Sequence, residues 1–108
     1  IDSTVILIIG VIWTLALDLN HANVRFDYGP LRYFLNSPRM HVWHHDVEVH
    51  GRGGQNFGQV LSVWDWIFGT VYWPADEESP AKLGFEGMEI YPKGVPGRLV
   101  YPLFRRRL

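Results

Sequence analysis

A nearly uninterrupted apolar stretch near the start of the chain, TVILIIGVIWTLAL at 4–17, constrains the fold more than any other feature. Asp2 precedes it and Asp18 follows it. A membrane span needs about 20 apolar residues, and a run of about 10 to 14 fits a span or a buried helix. Two interpretations therefore stay open: a core helix of a soluble domain, or the end of a transmembrane helix that begins upstream. No basic region precedes the stretch and no small-residue cleavage site follows it, which argues against a signal peptide.

The composition narrows the class of protein. A length of 108 residues fits one domain, and because the chain begins at Ile1 we expect it to be a piece of a longer protein. Aromatic residues make up 15% of the chain and include five Trp, a residue type that collects at membrane interfaces. A net charge of −1 gives no field that favours nucleic acid. There is no cysteine, so any bound metal must be held by nitrogen and oxygen.

Turn and cap signals divide the rest of the chain. Tyr28-Gly29-Pro30 predicts a turn, and a short helix over 31–35 follows. Ser37 as N-cap and Pro38 at the first helical position predict a helix that extends to about Asp46. Glycines at 51, 53 and 54 end it. The apolar spacing over 58–68 predicts another helix, capped by Gly69.

The last third of the chain predicts little regular structure. Residues 70–73 favour a short extended segment that stops at Pro74, and the prolines and glycines of 75–97 indicate an irregular surface tail. Arg105-Arg106-Arg107 follows aromatic residues, which suits an anchor at a membrane surface or simply an exposed terminus. We divide the chain into a membrane helix end at 1–20, a histidine and cap region at 21–74, and an irregular tail at 75–108.

The five histidines all lie between positions 21 and 50. On a helix, His41, His44 and His45 share one face, and His21 lies where the apolar stretch meets the polar connector. Three imidazoles on one face all need polar partners, and a metal ion satisfies them together. The sequence therefore predicts a metal site at these four residues. His50 lies in a glycine-rich loop outside the helical register, and we leave it out.

Several metals suit a site made of imidazoles. Zinc, copper, iron and nickel all accept such ligands, and their affinity order alone does not choose between them. The His-Glu-x-x-His pattern of zinc hydrolases is absent, and 41–45 holds no carboxylate. Asp46 either orients an imidazole or is a surface residue at the helix end.

From His21 onward the chain resembles the C-terminal part of the fatty acid hydroxylase and sterol desaturase superfamily. The resemblance covers roughly residues 5 to 104 and is similar in its later part to bacterial members. The motifs that carry it are HAN at 21–23, GPL at 29–31, SPRMHVWHH at 37–45, QNFG at 55–58, WDWIFGT at 64–70, GFEGME at 84–89 and YP at 101–102.

This resemblance implies a mainly α-helical integral membrane enzyme with a cytosolic cap. Two non-haem irons held by histidine boxes would use dioxygen to hydroxylate or desaturate a C–H bond of a lipid. Zinc is a substitute metal, and electrons would come from a separate donor protein. The implied location is a bacterial inner membrane, with the histidine site on the cytoplasmic side.

The resemblance also implies roles for single residues. His41, His44 and His45 match the final histidine box, and His21 matches the histidine before it. Asn56, Trp64 and Asp65 match family positions and are assigned supporting roles, although Asp65 is equally well explained as a local cap. The family's earlier boxes are absent, so we expect them upstream and expect this piece alone to be inactive. The alternatives are a non-catalytic membrane-associated helical module and a zinc hydrolase that uses the same histidines.

Overall fold

The structure is a computed structural model that describes residues 1–104, so the basic segment 105–107 lies outside the described residues. Its helices are α1 (Ser3–Asn20), α2 (Pro38–His41), α3 (Val63–Phe68) and α4 (Val95–Phe104), with 3₁₀ turns at Gly29–Tyr33, Val42–His45 and Met88–Ile90. Within residues 1–104 there is no strand, only two isolated bridges. The prediction of a mainly helical chain is confirmed.

Helix α1 is exposed along nearly its whole length. The Asp2 side chain accepts a hydrogen bond from the Thr4 amide at 2.7 Å and caps its start. Its 18 residues have a mean hydropathy of 1.8, and only 6% of them are buried. At 1.5 Å per residue the helix is about 27 Å long, close to the thickness of a bilayer core. Because the rest of the described chain does not cover it, α1 is not the core helix of a soluble domain formed by these residues.

The predicted helix from Ser37 to Asp46 begins as expected but tightens after its first turn. The Ser37 hydroxyl accepts from the Met40 amide at 3.3 Å. From Val42 the chain continues as a 3₁₀ turn that ends at His45. Two side-chain amides donate hydrogen bonds to backbone carbonyls of this segment. Asn56 donates to the Met40 carbonyl at 2.8 Å, and Gln55 donates to the Trp43 carbonyl at 2.7 Å. These bonds replace a regular helical ladder.

Helix α3 is shorter than the predicted 58–68. It spans only Val63–Phe68, and Gly69 ends it in the left-handed conformation with a φ of 69°, as predicted. Residues 58–62 pair instead with the 34–36 segment through backbone hydrogen bonds. The backbone N–H of Asn36 donates to the Val60 carbonyl at 2.8 Å, and the backbone N–H of Ser62 donates to the Phe34 carbonyl at 3.0 Å. This tertiary pairing outweighs the helical periodicity of the sequence.

The tail is irregular up to its last ten described residues. There the structure adds α4, which the sequence analysis did not place because prolines and glycines dominate the segment. The tail packs beside the histidine segment, since the Gly84 amide donates to the His45 carbonyl at 2.9 Å and the Val47 amide to the Lys82 carbonyl at 3.1 Å. The extended segment 70–73 forms no strand.

The interior of the described chain is mostly polar. Its buried hydrophobic residues are Met40 and Trp43, whereas eight polar or charged residues are buried. These are Asn20, Asn36, Ser37, His41, Gln55, Asn56, Ser62 and Asp65. Buried polar groups are stable only when hydrogen-bonded, so bonds rather than apolar packing define this core.

Asp65 closes the loop before α3. It is 1% exposed, and its carboxylate accepts from the amides of Phe57 and Gly58, each at 2.8 Å, and from the Thr70 hydroxyl at 2.6 Å. A side chain at Gly58 would collide with this carboxylate, because an added Cβ would lie 2.7 Å from its Oδ2. The buried carboxylate therefore fixes the path of the chain from Phe57 to Thr70.

We predict that Asp65→Ala lowers the free energy of unfolding by about 3 kcal/mol or more, because three donors lose a charged acceptor. Asp65→Asn should cost less, since the amide keeps the shape and one acceptor. Denaturant unfolding in detergent measures both. Asp76→Asn, on the exposed part of the tail, is the control. Equal stability of Asp65→Ala and the control variant would contradict the prediction.

Candidate metal centre

Four histidine rings meet where α1 ends. His21 is the C-cap residue of α1, His41 ends α2, and His44 and His45 belong to the 3₁₀ turn that follows. The ring centroid of His41 lies 4.6 Å from that of His21, 5.5 Å from that of His44 and 5.0 Å from that of His45. The structure thus brings together all four histidines predicted as ligands.

Three of these histidines already have donor atoms at metal-binding spacing. His21, His41 and His45 each offer one ring nitrogen, and the three atoms lie within 4.8 Å of one another. The Nε2 atoms of His21 and His41 are 3.2 Å apart. His44 lies beside this triad, with its ring centroid 5.3 Å from that of His45.

Backbone carbonyls orient two of the rings. Nδ1 of His21 lies 2.8 Å from the Leu17 carbonyl, and Nδ1 of His44 lies 3.0 Å from the Gln55 carbonyl. A carbonyl only accepts, so each Nδ1 carries a proton, and in the neutral form of each ring the lone pair is on Nε2. Metal-bound histidines typically have such a carbonyl or carboxylate partner on the second nitrogen.

His41 is the buried member of the cluster, 3% exposed. The side-chain nitrogen of Asn36, Nδ2, lies 3.2 Å from Nδ1 of His41. Burial above all, and then the neighbouring rings of His21, His45 and His44, lower the pKa of His41 to about 4. Burial, followed by His44 and His21, also lowers the pKa of His45. Both imidazoles are therefore neutral at pH 7, the form that binds a metal.

The 3₁₀ geometry of the turn explains the relation between His41 and His44. In a 3₁₀ turn, side chains three residues apart eclipse each other. The two rings are accordingly stacked, with an interplanar angle of 19°. His45, one position further, is turned nearly perpendicular to His41, at 85°.

Gln55 and Asn56 connect the histidine segment to the rest of the fold. Gln55, 4% exposed, donates to the Trp43 carbonyl and accepts from the His50 amide, while its own carbonyl holds His44. Asn56 is fully buried, has a left-handed φ of 50°, and donates to the carbonyls of Met40 and Tyr72. Asn56 thereby fixes the residue that precedes His41.

The other residues singled out from the sequence lie away from the rings. Trp64 is 55% exposed and stacks on Phe68, and no hydrogen bond joins it to the histidines among residues 1–104. Asp65 caps its own loop, as described above. Asp46 pairs with His50 at 2.8 Å and not with a histidine of the cluster. His50 stacks on Tyr72 at 3.8 Å between ring centroids, outside the cluster.

The donor set fits a transition metal that prefers nitrogen ligands. All three atoms at metal-binding spacing are imidazole nitrogens, and the cluster contains no carboxylate within the described part of the chain. Iron and zinc both accept such ligands. Two of the rings are fixed through Nδ1, which leaves Nε2 to point at an ion.

A cavity of about 750 Å³ opens beside the cluster, with His21 and His45 in its wall. Asn20, at the end of α1, lines it too. The Asn20 amide nitrogen donates to the Gln59 carbonyl at 2.7 Å, and its buried Oδ1 has no hydrogen-bond partner within residues 1–104. The volume lies within the range of small-molecule sites, roughly 300–1,000 Å³.

Comparison with known proteins shows the family of the chain. The sequence model of the fatty acid hydroxylase family matches residues 2–70, which include all four clustered histidines. The chain belongs to the fatty acid hydroxylase family. The superfamily resemblance seen in the sequence is thereby confirmed. No solved structure matches the chain.

One curated relative of this chain is the ornithine lipid hydroxylase OlsE of Rhizobium tropici. The two are 34% identical over 102 residues, which cover 94% of this chain and 30% of the relative. The chain therefore spans less than a third of the relative's length.

Sequence reasoning missed the residues that orient the rings. Asn36 precedes a helix cap and is typical of an ordinary turn, and Gln55 belongs to a quoted motif without an assigned role. Their contacts join segments five to twelve residues apart. The sequence offers one signal, which is that Asn36 and Gln55 are polar residues within about ten positions of the histidine box. That signal does not indicate which ring each residue contacts.

We predict that Asn56→Ala lowers the free energy of unfolding by about 3 kcal/mol, because two buried carbonyls lose their donor and alanine resists a positive φ. Asn56→Gly loses the same bonds but accepts the backbone conformation, so it should cost about 1 kcal/mol less. Thermal or denaturant unfolding of both variants measures the difference. Equal costs for alanine and glycine would show that the backbone conformation contributes nothing.

Proposed function

We propose that this chain forms part of an oxygen-dependent di-iron lipid hydroxylase. His21, His41, His44 and His45 would supply part of the iron ligand set. The observation that carries the proposal is the convergence of one ring nitrogen each of His21, His41 and His45 within 4.8 Å of one another, beside a cavity of about 750 Å³. Four histidines do not complete two irons, so the remaining ligands would come from other parts of a longer protein.

The chain's own residues would bind and orient. His41 and His45 stay neutral near pH 7 because burial lowers the pKa of each. The carbonyls of Leu17 and Gln55 hold the rings of His21 and His44 in one tautomer. When bound, the irons would activate dioxygen for attack on a lipid C–H bond, with electrons from a separate donor protein.

Hydroxylation is favoured over desaturation. The matching family is described as fatty acid hydroxylase, and the relative from Rhizobium tropici is named as a hydroxylase of ornithine lipid. The substrate would be a membrane lipid that reaches the cavity beside His21 and His45.

No observation favours the alternatives raised by the sequence. A zinc hydrolase needs a general base near the metal, and the cluster contains no carboxylate among the described residues. Zinc would bind as a substitute ion. A non-catalytic helical module gives no reason for four converging imidazoles.

Helix α1 supports a proposed location in a membrane. It is long and apolar enough to cross a membrane, which is consistent with membrane association. Under the proposed function the protein lies in a bacterial inner membrane, with the histidine cluster at the cytoplasmic end of this helix. Lipid substrate then reaches the cluster from the bilayer.

Replacing any one of the four clustered histidines by alanine in the full-length protein should reduce lipid hydroxylation to background and lower the iron content, since each removes a ligand. Metal analysis of the purified protein and a product assay measure both. His50→Ala is the matched control, because His50 pairs with Asp46 outside the cluster. A clustered histidine whose variant keeps both iron and activity is not a ligand.

A single cysteine tests the orientation in the membrane. This chain has no cysteine, so Arg52→Cys in the exposed glycine-rich loop gives it one thiol. In full-length protein whose other cysteines are replaced, a membrane-impermeant maleimide should label this thiol only after the cytoplasmic face is exposed. Labelling from the outside of intact cells would overturn the assigned orientation.

A further inference from the structure

Two side chains of opposite charge face each other at the cavity beside the histidine cluster. Arg25 belongs to the connector that follows α1, and Glu78 belongs to the tail. Both line the cavity that also contains His21 and His45. Arg25 Nη1 donates to Glu78 Oε2 at 3.3 Å.

The high exposure of this pair makes it available to a ligand. Each side chain is 66% exposed, which places the pair on the open side of the cavity. Exposed ion pairs are weak, because water solvates both charges well. A ligand that offers one group of each sign can therefore replace the pair without leaving a charge uncompensated.

Arg39, the other arginine in the wall of this cavity, already forms an ion pair within the described chain. Arg39 pairs with Asp27 at 3.1 Å, lies over the Trp73 ring at 4.8 Å, and has a side chain only 26% exposed. It anchors the connector against the fold. The Arg25–Glu78 pair is thus the charged feature best placed to contact a substrate.

We infer that Arg25 and Glu78 select a lipid with a zwitterionic amino-acid head group. The Arg25 guanidinium would bind the carboxylate of the head group, and the Glu78 carboxylate would bind its ammonium. This inference rests on the proposed function for its reaction, but binding can be measured without turnover. Glu78 would repel a phosphate, so anionic phospholipids bind less well.

A second polar side chain, that of Asn20, lines the same cavity. Asn20 is 5% exposed, and its Oδ1 accepts no hydrogen bond from residues 1–104. It lies next to His21 in the sequence and in the cavity wall. An N–H group of the lipid, such as an amide, fits this acceptor and would bring the substrate toward the cluster.

The test measures equilibrium binding of three lipids to the full-length protein in detergent: an amino-acid lipid with free ammonium and carboxylate, its N-acetyl derivative and its methyl ester. Glu78→Gln should weaken binding of the free lipid about tenfold and leave the N-acetyl derivative unchanged. Arg25→Gln should weaken the free lipid similarly and leave the methyl ester unchanged. Arg25→Lys should restore part of the loss.

Glu89→Gln is the matched control, because Glu89 forms a comparable exposed pair with Lys82 at 2.6 Å and does not line this cavity. Iron content should be the same in all variants. Equal weakening of all three lipids would show that the pair only holds the tail in place and would overturn the inference. Equal binding of phosphatidylglycerol and the zwitterionic lipid would overturn it as well.

Turnover separates this inference from the proposed function. If the lipids bind with the expected selectivity but no hydroxylated product forms in iron-loaded protein, the hydroxylase proposal fails and the head-group site stands. If product forms equally fast from all three lipids and the variants leave KM unchanged, the head-group site fails and the hydroxylase proposal stands.

Discussion

Hydrogen bonds between buried side-chain amides and backbone carbonyls hold the histidine segment in place. Gln55 and Asn56 are neighbours in the sequence. Asn56 donates to the carbonyl of Met40 and Gln55 to that of Trp43, so the two bonds flank the start of the 3₁₀ turn. An unpaired buried carbonyl is costly, so these bonds are strongly maintained. They convert the second half of a predicted helix into the tighter turn that presents the rings.

A second set of hydrogen bonds connects local structure to the orientation of the histidine rings. A free histidine exchanges between two tautomers, and a metal site works best when one is fixed. Here the fixing groups are backbone carbonyls of α1 and of the 55–56 loop, at Leu17 and Gln55. Ring orientation therefore depends on the end of α1 and on the 55–56 loop together, and a change in either element would alter how the rings are arranged.

The sequence predicted element starts and ends better than element interiors. Caps are local, so Ser37 and Gly69 were identified correctly from their neighbours. The residues before α3 were predicted as helix because their apolar spacing is helical, but pairing with the 34–36 segment decided their conformation. The convergence of His21 with the later box was predicted from its place at the end of the apolar stretch, and the family resemblance implied it as well. The partners of the rings were not predicted, since hydrogen bonds across a loop leave no periodic signal.

The stability of a core held together by hydrogen bonds depends on temperature differently from that of a hydrophobic core. The described interior buries Met40 and Trp43 as its hydrophobic residues beside eight polar or charged ones. Exposure of apolar surface raises the heat capacity of a protein, whereas exposure of polar surface lowers it. Melting of the region outside α1 should therefore change the heat capacity little. Its stability curve would be flat, with no pronounced optimum and little tendency to cold denaturation.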